Sequence, residues 1–110
     1  MKKHLRLSIL FCIIFLGFLT INSEGKCLII NEDDPGSRIK LEDYIVPGQI
    51  NIIDFYADWC NPCKKIAPHL EDLDKRRDDV VVLKVNIDTW DSPVCRQFTI
   101  KSVPSFLIYD

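Results

Sequence analysis

The sequence lacks a surplus of charge of either sign. Its 110 residues carry 14 lysines and arginines against 16 aspartates and glutamates, so the formal net charge is only −2. A protein that binds nucleic acid needs a basic face, and the charges here are dispersed along the chain. The composition therefore gives no support to a nucleic-acid partner. Repeats and low-complexity tracts are also missing, and a hydrophobic fraction of 47% is typical of one small globular domain.

Long hydrophobic runs are missing too. The longest mostly apolar run, residues 7–21, is shorter than the roughly 20 residues that cross a bilayer comfortably. It follows three basic residues and precedes a short polar stretch, which is the layout of a secretory signal. We expect residues 1–25 to be a signal peptide and residues 26–110 to be an exported domain in the periplasm, the cell envelope or the medium. An uncleaved membrane anchor is the alternative.

The spacing of metal ligands is the third feature that the sequence lacks. A structural zinc site needs four ligands, usually in two closely spaced pairs. Once the signal is removed, Cys27, His69 and Cys95 could complete a site with Cys60 and Cys63, but they form no such second pair. We therefore predict no metal site. We expect His69 to be a solvated surface residue and Cys95 to be a small buried side chain, with a reactive thiol in the first turn of its helix as the alternative for Cys95.

Hydrophobic patterning predicts alternating strands and helices. Nearly continuous apolar runs predict buried strands over residues 50–57 and 80–85, and apolar side chains at helical spacing predict a helix over residues 60–77. Weaker patterns predict a strand over 27–31, a short helix over 39–44, a second helix capped by Ser92 and running through Phe98, and a strand over 105–109. This order is typical of an α/β layer with crossover helices.

Cys60 and Cys63 lie where a predicted strand ends and a predicted helix begins. The free N–H groups and the positive end of the helix dipole stabilise a thiolate there, and the thiolate is the nucleophile of thiol–disulfide exchange. Pro62 suits the first helical turn, where its missing N–H costs nothing. A disulfide that closes so short a loop adds little stability. We therefore interpret the pair as redox-active rather than structural.

The residues around this pair resemble the active site of the thioredoxin family. The motif Trp-Cys-Asn-Pro-Cys-Lys follows Asp-Phe-Tyr-Ala-Asp, with Asn61 in place of the family's usual glycine. Further matching segments follow in the expected order at residues 66–68, 83–88 and 100–106. The resemblance implies a thioredoxin-like sheet with crossover helices. Thioredoxins continue with another strand and a C-terminal helix, so we expect a C-terminally incomplete domain with apolar side chains of the last strand uncovered. Coverage of that surface by something else is the alternative.

The resemblance also implies roles for individual residues. Cys60 would be the attacking thiolate and Cys63 the resolving thiol of a redox-active disulfide. Asp54 would be a buried carboxylate that relays a proton for Cys63, and Lys84 would modulate that carboxylate. The alternatives from the residues themselves are an aspartate that faces water at the strand end and a lysine that is merely exposed or snorkelling.

A second group of residues is implied in substrate docking. By resemblance, Trp59, Asn61 and Pro62 contact the substrate beside the dithiol. Val103 and Pro104 form a cis-proline turn that offers backbone groups to an extended substrate segment. For Trp59, plain packing in the core is the alternative.

Taken together, the resemblance implies an exported protein-disulfide oxidoreductase. It would exchange disulfides with protein substrates and with a redox partner protein, without a cofactor. Two other functions stay open at this point: a dedicated reductant for cytochrome or metal-site maturation, and a redox-inactive or sensor-type binding domain. The direction of electron flow also stays open, because the reduction potentials of this fold span about −270 to about −120 mV.

Overall fold

The centre of the fold is a four-stranded mixed sheet. The computed structural model describes residues 27–110, so the predicted signal segment lies outside the described residues. The strands are β1 (Leu28–Ile29), β2 (Ile50–Tyr56), β3 (Val80–Asn86) and β4 (Ser105–Tyr109). Their order across the sheet is β1-β3-β2-β4, in which β1, β3 and β2 are parallel and β4 runs antiparallel to β2.

Two helices cross between these strands. Helix α1 spans Asn61–Arg76 and connects β2 to β3, and helix α2 spans Pro93–Phe98 and lies between β3 and β4. A single 3₁₀ turn, Leu41–Asp43, stands where the sequence predicts a short helix over 39–44. The predicted α/β class with crossover helices is confirmed. In the part of the chain that the structure describes, neither helix has the length and apolar character needed to cross a membrane.

The nearly continuous apolar runs of β2 and β3 reflect their central place in the sheet. Both faces of these strands are covered, so side chains that point to either face of the sheet are buried. On the α1 face, Val80 and Val82 pack with Leu70, and Ile66 and Leu73 join them at the margin. The opposite face holds the larger cluster, which includes Phe55, Val85, Val94 and Cys95. The sheet therefore separates two hydrophobic clusters.

Strand β1 is shorter than the predicted strand over residues 27–31. Its last ladder bond is donated by the Ile30 amide to the Lys84 carbonyl at 2.8 Å. At Asn31 side-chain hydrogen bonds take the place of the backbone ladder. The Asn31 side-chain nitrogen donates to the Asn86 backbone carbonyl at 2.7 Å, and its side-chain oxygen accepts from the Asn86 backbone amide at 2.9 Å. The chain then turns away, so the pairing stops after two residues.

Helix α2 begins as its sequence predicts and is tied to the N-terminal segment through Gly36. Ser92 caps the helix by accepting a hydrogen bond from the Cys95 amide at 3.4 Å. Gly36 has a φ of 82°, and its carbonyl accepts from the Val94 amide at 3.0 Å. A Cβ at Gly36 would lie 3.1 Å from the Cβ atoms of both Asp88 and Ser92. Glycine is therefore needed here both for its backbone conformation and for the close approach.

Strand β4 lies at the edge of the sheet and exposes much of its apolar surface. Phe106 is 38% exposed, Ile108 67% and Tyr109 45%. The sequence predicts uncovered apolar side chains on this strand, and within residues 27–110 these three side chains do face solvent.

Candidate active site

The candidate site is built on the junction of β2 and α1. Cys60 is the N-cap of α1 and has an extended backbone (φ −89°, ψ 105°), and its sulfur accepts a hydrogen bond from the Cys63 amide at 3.2 Å. Cys60 and Cys63 form a disulfide with 5.3 Å between their Cα atoms. The chain enters this cap through a turn in which the Cys60 amide donates to the Ala57 carbonyl at 3.1 Å.

The N-terminus of α1 provides a positive electrostatic environment for the Cys60 sulfur. Pro62 occupies the first turn of α1, and the Cys63 amide, which precedes the first intrahelical bonds, donates to the Cys60 sulfur. A negative charge on that sulfur would be stabilised by this donor and by the helix dipole. Both cysteines are largely covered, with 5% exposure for Cys60 and 4% for Cys63. Position at the cap, rather than exposure, is therefore what distinguishes the two sulfurs.

The turn before β4 lies against this disulfide. The Val103–Pro104 peptide bond is cis, as the resemblance implies. The Cys60 sulfur is 3.7 Å from the Val103 carbonyl oxygen, so a reduced Cys60 could donate its S–H to that oxygen. Val103 and Pro104 are half-buried, which leaves part of this backbone open beside the sulfur. Their role in substrate docking stays a prediction.

Trp59 is a surface residue, and the alternative of core packing is wrong for it. Its side chain is 50% exposed. Its indole N–H donates to the Asp88 carbonyl at 2.6 Å, which fixes the ring at the mouth of the site. Asn61 and Pro62 are exposed on the first turn of α1. Contact of these three residues with a substrate stays a prediction.

Asp54 and Lys84 come together in the middle of the sheet. They are opposite each other in the parallel register of β2 and β3, and Asp54 is only 1% exposed. Desolvation raises the pKa of the Asp54 carboxyl from 3.8 to about 6, and the Lys84 ammonium opposes part of this rise. Asp54 therefore does not face water. Lys84 is half-buried and places its ammonium 4.5 Å from the centre of the Tyr56 ring.

The relay role of Asp54 stays a prediction. Its Oδ1 is buried without a hydrogen-bond partner, and within residues 27–110 no hydrogen bond joins its carboxyl to either cysteine. An unsatisfied buried carboxylate is costly, so some purpose for it is expected. The structure thus forms two groups from the predicted residues: the disulfide with Trp59 and the Val103–Pro104 turn, and the Asp54–Lys84 pair.

Within residues 27–110, the two cysteines outside the disulfide are free and covered. Cys95 is buried, and its sulfur is 3.6 Å from the Thr89 carbonyl oxygen. Cys27 is half-buried, and desolvation, with a smaller contribution from Asp74, raises the pKa of its thiol to about 11. A protonated thiol is a poor nucleophile, so Cys27 is unsuited to exchange. His69 is exposed, and the described residues hold no cluster of three or more potential metal ligands.

Sequence reasoning missed Trp90. This side chain is 49% exposed and packs against Trp59, with 5.3 Å between the ring centroids and an interplanar angle of 54°. The sequence feature that could have indicated Trp90 is a tryptophan among polar residues just after the end of β3. Because β2 and β3 are parallel, their carboxyl ends meet at the same edge of the sheet. A residue that follows β3 can therefore reach the dithiol that follows β2.

Comparison with known proteins places this geometry among thioredoxins. The family model for thioredoxin matches residues 39–110. Thioredoxin-T of Drosophila melanogaster is 44% identical over 79 residues, which are 70% of this chain but 46% of the fly protein. The crystal structure of Chlamydomonas reinhardtii thioredoxin f2 superposes with a TM-score of 0.60 at 34% identity, covering 76% of this chain and 74% of that one.

A further solved structure contains a partner. It is a complex of ferredoxin:thioredoxin reductase with thioredoxin f2, and its matched chain is 34% identical to this one with a TM-score of 0.51. The match covers 56% of each chain. The match thus spans little more than half the length of that relative, and the match to the fly protein spans less than half of its length.

Proposed function

The chain belongs to the thioredoxin family of protein-disulfide oxidoreductases, and from that premise we propose that it exchanges disulfides with protein substrates through Cys60 and Cys63. The observation that carries the proposal is the disulfide across the first turn of α1, with the Cys60 sulfur at the helix cap. A binding domain without redox function would have no need of such a pair, because a bond across so short a loop contributes little stability.

The proposed reaction is two successive exchange steps. In the reduced protein the Cys60 thiolate attacks one sulfur of a substrate disulfide. A mixed disulfide forms, and the other substrate sulfur leaves as a thiolate. Cys63 then loses its proton and attacks the Cys60 sulfur, which closes the disulfide of this protein and releases the second substrate thiol. Two electrons pass to the substrate, and the reverse sequence oxidises a substrate dithiol.

The second step needs a base, and Asp54 is our candidate. A carboxyl with a pKa of about 6 is close to neutrality, where a group can both accept and return a proton efficiently. The Lys84 ammonium, opposite Asp54 in the register, limits the rise of that pKa. The proton of Cys63 would pass to Asp54, directly or through water, when the mixed disulfide is resolved.

A redox partner protein must restore the starting state after each cycle. The thioredoxin f2 relative was solved in complex with a ferredoxin:thioredoxin reductase. We propose that this chain is likewise served by a protein partner of its own, which exchanges electrons with the Cys60–Cys63 pair. The identity of that partner and the direction of flow follow from the reduction potential of the pair relative to its compartment.

The decisive test is catalysis of insulin reduction. With dithiothreitol as electron donor, the full chain should accelerate precipitation of the insulin B chain, and replacement of both Cys60 and Cys63 by serine should abolish the acceleration. A Cys27→Ser variant is the matched control, because Cys27 is free and half-buried, and it should keep the activity. Equal rates for the wild type and the double variant would overturn the proposal. Equilibration with glutathione buffers then gives the potential.

We further propose that the domain acts outside the cytosol. The support is the N-terminal sequence, in which basic residues precede a short apolar run and a polar segment ending at Gly25. The protein isolated from its own cells should be recovered from the exported fraction with an N-terminus at Lys26, as read by intact mass. A cytosolic protein that retains residues 1–25 would contradict export.

A further inference from the structure

Two exposed tryptophans stand side by side at the mouth of the site. Trp59 and Trp90 are 50% and 49% exposed, and their rings are in tilted contact at 5.3 Å. Exposed neighbouring tryptophans are unusual on a free surface and are enriched where proteins bind partners. Trp59 directly precedes Cys60, so any segment that reaches the Cys60 sulfur passes close to this pair.

The loop that carries Trp90 is closed by its own hydrogen bonds. The Thr89 carbonyl accepts from the Ser92 amide at 3.2 Å, and the Thr89 hydroxyl donates to the Asp91 carboxylate at 2.9 Å. The Arg96 guanidinium donates to the Asp91 carbonyl, which joins the loop to α2. Trp90 therefore projects from a defined turn, and a partner would find its ring already positioned.

Three aspartates neighbour the pair: Asp58 precedes Trp59, Asp91 follows Trp90, and the Asp88 carbonyl accepts the Trp59 indole N–H. All three side chains are exposed, and none forms a salt bridge within residues 27–110. The Asn86 side chain links the segments that carry Asp58 and Asp88, because its amide nitrogen donates to the Asp58 carboxylate at 3.5 Å and its oxygen accepts from the Asp88 backbone amide at 2.9 Å. The two tryptophans and three aspartates together are termed the acidic tryptophan surface below.

This surface suits a cation. Indole faces attract ammonium and guanidinium groups through their quadrupoles, and unpaired carboxylates attract them by charge. A purely apolar partner would bury carboxylates without a counter-charge, which is unfavourable. Arg96 of α2 donates to the Asp91 backbone carbonyl and forms no salt bridge with these carboxylates within residues 27–110. Lys64 and Lys65 lie beyond the dithiol on α1, so the acidic character is local.

We propose that the acidic tryptophan surface selects protein substrates that carry an arginine or lysine close to the cysteine under attack, with Trp90 as a specificity-determining residue. This inference rests on the proposed function, since it names the substrate class of that same site. The cation would lie against the Trp90 ring and between the carboxylates, while the neighbouring sulfur reaches Cys60.

The test uses three peptides that differ only in charge. Each contains one intramolecular disulfide, flanked at the same positions by arginine, glutamine or glutamate. Their reduction by the pre-reduced full chain is followed by chromatography under single-turnover conditions. Each rate is divided by the rate with dithiothreitol, a neutral dithiol, which removes the effect of charge on the reactivity of the peptide itself.

After this correction, the arginine peptide should react roughly fivefold to tenfold faster than the glutamate peptide at low salt. The preference should shrink at 0.5 M salt, where the Debye length is about 4 Å. Trp90→Leu, which keeps an apolar side chain without an aromatic face, should reduce the ratio. The double variant Asp88→Asn with Asp91→Asn should also reduce the ratio. Asparagine is the replacement at Asp88 because it tolerates the left-handed backbone there (φ 62°).

Asp78→Asn is the matched charge control. Asp78 is exposed and precedes the amino end of β3, whereas Asp88 follows the carboxyl end of the same strand. The Asp78→Asn variant should leave the ratio of the arginine-peptide rate to the glutamate-peptide rate unchanged. Equal corrected rates for the arginine and glutamate peptides, or a preference that survives both the Trp90 and the aspartate variants, would overturn the inference. Failure of the wild type to reduce any of the three peptides would instead overturn the proposed function.

Discussion

Replacing Cys63 with alanine should turn the protein into a covalent trap for its substrates. The first exchange step needs only Cys60, so the mixed disulfide still forms. The second step needs a thiol within reach of the Cys60 sulfur, and Cys63 is the residue that the first turn of α1 places there, with 5.3 Å between the two Cα atoms. Without it the mixed disulfide persists until an external thiol breaks it. Insulin turnover should therefore fall towards the uncatalysed rate, and adducts should accumulate when the pre-reduced variant is mixed with substrate in the absence of dithiothreitol.

The adducts are measured by acid quenching, alkylation, non-reducing electrophoresis and mass spectrometry. Bands that disappear on reduction should be present for Cys63→Ala and absent for Cys60→Ser with Cys63→Ala. A Cys27→Ala variant with the pair intact should show no accumulation, which controls for loss of an unrelated thiol. Turnover that survives Cys63→Ala, or adducts that do not depend on Cys60, would contradict the two-step exchange.

Replacing Asp54 with asparagine should stabilise the folded protein and slow its second exchange step. The folded-state pKa of Asp54 is raised from 3.8 to about 6, so the folded protein resists ionisation of this carboxyl more than the unfolded chain does. Wild-type stability therefore falls as the pH rises from about 4 to about 6, and the full penalty is present above that range. An amide of the same shape carries no charge. We expect the variant to gain on the order of 1–3 kcal/mol in free energy of unfolding at pH 7.5.

Denaturant melts of the oxidised proteins at pH 4 and pH 7.5 check this sign. The gain of Asp54→Asn over the wild type should be large at pH 7.5 and small at pH 4, where the carboxyl is protonated in the folded state. Asp78→Asn, an exposed aspartate, should show no such pH-dependent gain. If Asp54→Asn has the same pH dependence as the wild type, then Asp54 carries no burial penalty and the argument for its role is lost.

The kinetic effect of the same variant should appear in the second exchange step. Loss of a general base costs about 10²-fold or more where proton transfer limits the rate. The single-turnover release of product should therefore slow in Asp54→Asn, while the formation of the mixed disulfide stays close to the wild-type rate. Raising the pH should rescue release, since Cys63 then ionises without help. Unchanged release at neutral pH would remove Asp54 from the mechanism even if the stability gain is found.

The parts of the fold that could be predicted are those in which local sequence and tertiary environment agree. The run from Ile50 to Tyr56 is apolar because the strand is covered on both faces, and the same holds for β3. Ser92 and Pro93 carry their own helix signal, which acts within one turn. The dithiol could be placed at a strand–helix junction for the same reason. These features need no knowledge of distant residues.

What escaped prediction depends on contacts between distant segments. Nothing local to residues 27–31 shows that Asn31 will exchange two hydrogen bonds with the Asn86 backbone and end β1 after two residues. Asn51 is a similar case, because it is 1% exposed within an apolar strand and its side chain closes the preceding turn by bonding both backbone groups of Val46. The packing of Trp59 on Trp90 likewise exists only once β2 and β3 are aligned.

The two hydrophobic clusters on either side of the sheet have a consequence for oxidative folding. Cys27 packs in the cluster beneath α1, and Cys95 packs in the cluster on the opposite face. The opposite-face cluster also contains Cys60 and Cys63, so within residues 27–110 the sheet stands between Cys27 and the other three cysteines and denies Cys27 a route to them in the folded chain. Cys60 and Cys63, by contrast, meet within one helical turn. Under oxidising conditions the sheet thus keeps Cys27 from forming a wrong disulfide with the active-site pair while the chain stays folded.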